Sequence, residues 1–197
     1  MPLSPNRQYP LSRASMLNAG VPELYWNASL AAMADSPFQK RLMQYLVKIH
    51  EHVSAGRGLY LCGDFETGKT YAAVALLKEV LRRGGTAYFL KAKNVLRAIY
   101  EDEETVDGMA LVKNTIKGVD LLVLDDLGQE GFDPKKHGGA ELEGVIRDRY
   151  DWKKPVIVTS NRAPSALKGV YTEAFVNILR RTVLVVTIQT DQWKGSK

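Results

Sequence analysis

Gly63-Asp64-Phe65-Glu66-Thr67-Gly68-Lys69-Thr70 is the stretch on which the fold turns. It fits the spacing GxxxxGK[ST], and its flanks say as much as the match itself. Upstream, Leu59-Tyr60-Leu61-Cys62 is an apolar run of strand length. Downstream, Lys69 to Arg82 reads as a helix until Gly84-Gly85 stops it. A strand that passes through a Gly-bounded loop into a helix is the context in which this motif grips phosphate. Backbone N–H groups of the loop and of the first helical turn would point at phosphate oxygens, helped by the positive end of the helix dipole. Gly63 to Thr70, with Tyr71 after them, are therefore the candidate nucleotide-binding residues. The Lys69 ammonium would reach the β and γ phosphates of ATP, and the Thr70 hydroxyl would ligate Mg2+. Glu66 stands where such loops often carry glycine; its carboxylate is expected to point to solvent or to a basic neighbour and to weaken binding at most.

Working outward, short apolar segments alternate with amphipathic ones. Strands are expected at Ala87 to Leu90, Leu121 to Leu124, Val156 to Thr159 and Val183 to Ile188. Helices are expected at Asn94 to Tyr100, around Met109 to Ile116, at Ala140 to Tyr150 and near Thr172 to Leu179. The acidic stretch Glu101 to Asp107 reads as a solvated loop. Leu121 to Leu124 shows no polar alternation, as expected of a strand covered by helices on both faces. The pattern implies an α/β fold, a three-layer αβα P-loop NTPase with a mostly parallel central sheet. Before the loop, Ser36-Pro37 supplies a cap and a first-turn proline for a helix carrying Phe38, Leu42, Tyr45, Leu46, Ile49 and Val53, which should end near Gly56. Residues 1–35, rich in Pro, Ser and Asn, read as an extended N-terminal arm that packs in places through Leu24, Tyr25 and Trp26, with the ATPase domain at 36–197.

Two further strand ends carry chemistry. Leu121-Leu-Val-Leu-Asp125-Asp126 has the form of a Walker B element: Asp125 would hold magnesium, and Asp126 would orient or deprotonate the attacking water. Many relatives of such sites use Glu at the second acid; Asp is one methylene shorter, so turnover is expected to be slow or to depend on a partner. Val156-Ile-Val-Thr159 runs into Ser160-Asn161-Arg162, where Asn161 is the choice for placing the nucleophilic water, the sensor 1 role; Ser-Asn also starts turns freely. Arg180 and Arg181 end a helix, where the dipole favours cations anyway, or one of them acts as an arginine finger on a neighbouring subunit.

The rest of the composition sets bounds. A chain of 197 residues suits one hydrophobic core. No apolar run approaches the ~18 to 20 residues that cross a bilayer, and no secretion signal opens the chain, so a cytoplasmic location without membrane attachment is expected. The single cysteine, Cys62, reads as a buried strand residue, and His50 and His52 as solvated side chains with no zinc pattern around them. A net charge of +5 makes a polyanion partner plausible without establishing one. Lys91, Lys93 and Arg97, with Lys113 and Lys117, are the candidate nucleic-acid contacts, although lysines on helices are usually solvated faces. Arg147, Arg149, Lys153 and Lys154 form a second basic group, equally readable as an interface between subunits.

Taken in order, GDFETGKT, LLVLDDLG, the helix ending IRDRY and KPVIVTSNR resemble the DnaC/DnaI/IstB group of AAA+ ATPases, from about Gly56 to the C-terminus. The resemblance implies an AAA+ type fold without a full helical lid, for which there is no room after Ile188, and an arginine finger placed like Arg180 or Arg181. It implies an ATP- and Mg2+-dependent homo-oligomer that binds DNA, single-stranded DNA being favoured. A replicative helicase would be the partner of a helicase loader, a transposase that of an IstB-like transposition helper. The chain departs from the loaders in having only about 35 loosely patterned residues before the first helix. Glu66 and Asp126 keep a third reading open, a nucleotide-latched DNA-binding regulator with little turnover. A small-molecule kinase lacks an evident acceptor site.

Overall fold

The structure, a computed structural model, describes residues 8–94, 115–128 and 139–188. Five strands make one parallel sheet: β1 (Gly58–Gly63), β2 (Ala87–Lys91), β3 (Leu121–Asp125), β4 (Val156–Ser160) and β5 (Val183–Ile188). Their order is β2-β3-β4-β1-β5, so β1, β3 and β4, which carry the three motif-bearing tips, are the inner strands. Strand alternation sorts side chains onto two faces. Leu59, Leu61 and Val123 point to one apolar cluster, Tyr60, Cys62, Leu122 and Leu124 to the other.

The first face is covered by α2 (Pro37–Val47), α3 (Ile49–Ser54) and α4 (Lys69–Arg82) through Phe38, Leu42, Tyr45, Ile49, Ala73, Leu76 and Leu77. The second is covered by α5 (Gly139–Asp151) and α6 (Glu173–Thr182) through Leu142, Val145, Ile146, Phe175, Val176 and Leu179. This is the three-layer α/β architecture that the alternation of strands and helices implies.

The segment ahead of α2 folds along the first face. It forms α1 (Arg13–Asn18), capped by the Ser12 hydroxyl, and 3-10 turns at Glu23–Tyr25 and Leu30–Ala32. Met16, Val21, Ala28, Leu30 and Met33 join the same buried cluster as Phe38. Of the three side chains expected to pack, Tyr25 and Trp26 do so partly, whereas Leu24 is 82% exposed.

Three other expectations need correction. The helix foreseen from Ser36 to Gly56 is broken at Lys48 (φ −102, ψ 20), which separates α2 from α3. His52 is only partly solvated: its ring stacks on Tyr45 with centroids 4.3 Å apart, and its Nδ1 is buried. Arg149 is no surface cation either. It is 1% exposed and its guanidinium donates to the carbonyls of Ile116 (2.5 Å), Val119 (3.1 Å) and Pro155 (2.9 Å), fastening the approaches to β3 and β4. Burial pulls its pKa down to about 10. Cys62 is buried in β1 as expected. No helix of the described residues is long and apolar enough to cross a membrane.

Candidate nucleotide-binding site

The loop from Gly63 to Gly68 leaves the C-terminal end of β1 and enters α4 at Lys69. Gly63 (φ +152) passes so close to β5 that a Cβ there would lie 2.3 Å from the Ile188 carbonyl oxygen, and Gly68 (φ +82) is left-handed at the helix entrance. These two glycines are required by the path of the chain. Glu66 is also left-handed (φ 58) and exposed, a conformation an L-residue adopts at a cost of roughly 1 kcal/mol.

Lys69 is 5% exposed and folds back on its own loop. Its ammonium donates to Gly63 O (3.0 Å), Asp64 O (2.5 Å) and Thr67 Oγ1 (3.3 Å). Burial lowers its pKa, opposed by the carboxylates of Asp126, Asp125 and Asp64. In this arrangement loop carbonyls occupy the donors that phosphate oxygens would take.

Asp125 ends β3 and is 1% exposed. Its Oδ1 accepts from the Thr70 hydroxyl at 2.8 Å and from the Thr159 hydroxyl at 2.7 Å. Burial raises its pKa, the Thr159 bond works against that, and the charge of Asp126 adds to it. Thr159 is fully buried on β4, and its Oγ1 also accepts from the Asp126 N–H at 3.0 Å. One hydroxyl thus fixes both acids. Asp126 itself is left-handed (φ 59), which turns the chain sharply after β3. Beyond β4, the Ser160 hydroxyl donates to Leu127 O at 2.6 Å and the Tyr60 hydroxyl to Arg162 O at 2.8 Å, bracketing Asn161.

A cavity of about 370 Å³ is lined by Lys69, Thr70, Asp126 and Asn161 together with Leu24, Tyr25, Phe65 and Tyr71. A buried carboxylate and a hydroxyl are a hard-oxygen pair of the kind magnesium uses when phosphates and water complete its shell. Among the described residues no group of three or more His, Cys, Asp or Glu could hold a metal alone. The donor set therefore fits a magnesium nucleotide and not a protein-only metal cage.

Not every candidate residue comes to this cavity. Arg180 and Arg181 are exposed at the end of α6, beside Val183, which pairs with Gly58 at the start of β1. The length of β1, roughly 16 Å, separates that edge from the phosphate loop. Lys91 ends β2 in register with Asp125, half-buried and close enough to favour its ionised form. Lys117 pairs with Asp148 at 2.5 Å, while Lys93 is exposed. Arg97 and Lys113, the helices expected at Asn94 to Tyr100 and Met109 to Ile116, and the acidic stretch fall wholly or mainly outside the described residues. Two residues that sequence reading did not assign to the site are Thr159 and Tyr25. A polar residue at the end of an apolar strand was a readable signal for the first; nothing local marked the second.

Comparison with known proteins agrees with this architecture. The family described as IstB-like ATP binding protein matches residues 29–188. A putative ATP-binding protein of an insertion sequence of Mycobacterium tuberculosis is 32% identical over 63% of this chain, and the replicative helicase loader DnaI of Bacillus subtilis is 27% identical over 64%. The chain spans 48% and 40% of those two proteins, less than half of each. Among solved structures, the DnaC helicase loader superposes with a TM-score of 0.73 at 26% identity, covering 85% of this chain and 99% of that one. DnaI superposes at 0.71 and 22%, a likeness of fold.

Proposed function

The chain belongs to the family of IstB-like ATP-binding proteins, and from that premise we propose that it is a magnesium-dependent ATPase that works on DNA as a helicase loader. The observation that carries the chemistry is the single carboxylate oxygen of Asp125 that accepts from both Thr70 and Thr159, at the mouth of a loop whose lysine is held by that loop's own carbonyls and the Thr67 hydroxyl. On binding ATP, Lys69 would exchange those carbonyls for β and γ phosphate oxygens. Thr70 and Asp125 would hold Mg2+, which neutralises charge on the transferring phosphoryl group. Asn161 would place the water, and Asp126 would orient it or take its proton. Arg180 or Arg181 would serve the site of a neighbouring subunit in a nucleotide-dependent homo-oligomer. Lys93, with Arg97 and Lys113, would meet single-stranded DNA; Lys91 faces a carboxylate and Lys117 already has one, which makes both weaker candidates.

A second reading is favoured by a specific observation: the relative from an insertion sequence is 32% identical and the helicase loader DnaI 27%. In that reading the partner is a transposase and the chain a transposition helper. The same experiment serves both. ATP hydrolysis and sedimentation are measured with and without single-stranded DNA, and the purified chain is offered to helicase and to transposase separately. Lys69→Ala should abolish nucleotide-dependent assembly and reduce hydrolysis by ~100-fold or more. An unchanged response to ATP in that variant rejects the site, and brisk DNA-stimulated turnover in the parent rejects a mere nucleotide latch.

A further inference from the structure

The two margins of the sheet are finished differently. Along β2 the chain covers its own edge, where the Phe89 N–H donates to Ala19 O at 2.8 Å. Along β5, once the Val183 N–H has closed α6 on Leu179 O, no backbone hydrogen bond among the described residues reaches the strand except from β1. Half of the β5 backbone groups are thus left, among those residues, without a strand to pair with. The strand itself, Val183-Leu-Val-Val-Thr-Ile188, holds no charge and no proline, devices that keep an edge from pairing. Leu184 and Val185 stand 50% and 45% exposed, one toward each face of the sheet. Leu184 shares the parity of Val186 and Ile188, which pack in the first cluster, and Val185 that of Val183, which packs in the second.

What can lie there is set by charge. A groove of about 520 Å³ runs beside this margin, lined by Arg41, Gln44, Lys48 and His52 together with Leu184 and Val185, and no acidic residue lines it. Arg41 and Lys48 are exposed, and neither pairs with a carboxylate among the described residues. Cations without partners beside an apolar edge select an occupant that brings both carboxylates and a backbone. An added strand presents alternate side chains to the two faces. On the face of α2 they meet Arg41 and Lys48, which favour Asp or Glu; on the other they meet Val185, which favours an apolar residue. We infer that the β5 margin is a docking surface for an extended acidic segment of a partner protein, in which carboxylates alternate with apolar residues and the backbone adds to the sheet as a further strand. This goes beyond the nucleotide site, although the occupant comes close to it: Ile188 is in register with Gly63, where the phosphate loop begins.

The test separates strand addition from mere attraction. A short fluorescein-labelled peptide of alternating Glu and Val, blocked at both ends, is titrated against the full chain at low ionic strength and followed by anisotropy. A peptide of alternating Lys and Val is the control. The Glu-Val peptide should saturate, lose affinity as salt is added, and slow amide exchange over residues 184–188, whereas the control should not bind. Arg41→Glu combined with Lys48→Glu should weaken binding at least about ten-fold and leave the circular dichroism spectrum unchanged. A Glu-Val peptide that fails to saturate, or that saturates without slowing exchange in β5, would show that no strand is added. Equal binding of the two peptides would remove the charge argument. Self-association of the peptide-free chain that Val185→Lys abolishes would give the margin to a second copy. Each of these three results overturns the proposal, and none touches the nucleotide site, which Lys69→Ala tests separately.

Discussion

Asp125 accepts two hydroxyl protons and still holds its own proton more tightly than an ordinary carboxyl, because burial outweighs those bonds. An acid whose folded pKa is raised costs stability when ionised, and the cost lifts as pH falls through that folded value. Asp125→Asn keeps an oxygen for Thr70 and Thr159 and removes the charge. The empty protein should therefore melt at higher temperature than the parent at neutral pH, with the difference shrinking on acidification, while magnesium no longer tightens nucleotide binding. Calorimetric scans with and without Mg2+ nucleotide check both halves. Glu66 is a different case. Replacing it with glycine relieves about 1 kcal/mol of left-handed strain but returns a similar amount in unfolded-chain entropy, so stability should hardly move. Nucleotide affinity should rise about two- to five-fold at low ionic strength, a gain that salt erodes. The sequence exposes Glu66 as an oddity because the motif is local. It hides the role of Thr159, whose value comes from β4 lying beside β3 with Leu124 opposite Val158, a pairing that no stretch of sequence declares.

Elements built from local periodicity were legible almost to the residue. The helix expected from Lys69 to Arg82 is found at those bounds, and each expected strand lies within its observed one, because alternating buried runs and glycine stops are written contiguously. What failed was the one long helix before the loop. Its apolar spacing continues across Lys48, but the chain turns there, and Tyr45 then stacks its ring on His52 and donates its hydroxyl to Arg57 O at 2.7 Å. Periodicity registers faces and is blind to such a bend. Arg149 was missed for a related reason: an arginine reads as surface until four backbone carbonyls are folded around it. His52 gives the bend a pH signature. Burial lowers its pKa, so below the unfolded histidine value the unfolded chain takes up the proton first, and stability falls as pH drops toward the folded value. Melting temperature followed from pH 7.5 to 5.5 should decline less steeply in His52→Phe than in the parent; parallel profiles would mean the stack does not hold the ring neutral.

For the whole molecule, a parallel α/β sheet was readable, but its order was not, because β2 pairs with β3 and β1 with β4 and β5 across long intervals of chain. The parallel pairing of β5 with β1 puts Arg180 and Arg181 at the starting end of those strands, while Lys69 follows the far end of β1, so neither serves the site of its own chain. Mixing a Lys69→Ala chain with an Arg180→Ala, Arg181→Ala chain should restore part of the ATP hydrolysis that each lacks alone, since some junctions then pair an intact loop with an intact arginine. Absence of any recovery on mixing would remove the arginines from the mechanism. The same order has another outcome. The tips that line the cavity belong to the three interior strands, shielded by β2 and β5 on the flanks. A ligand held by those tips binds the folded sheet and not the unfolded chain. The stability of the chain in a warm cell would then track the surrounding supply of nucleotide, its free energy of unfolding growing with the logarithm of that concentration.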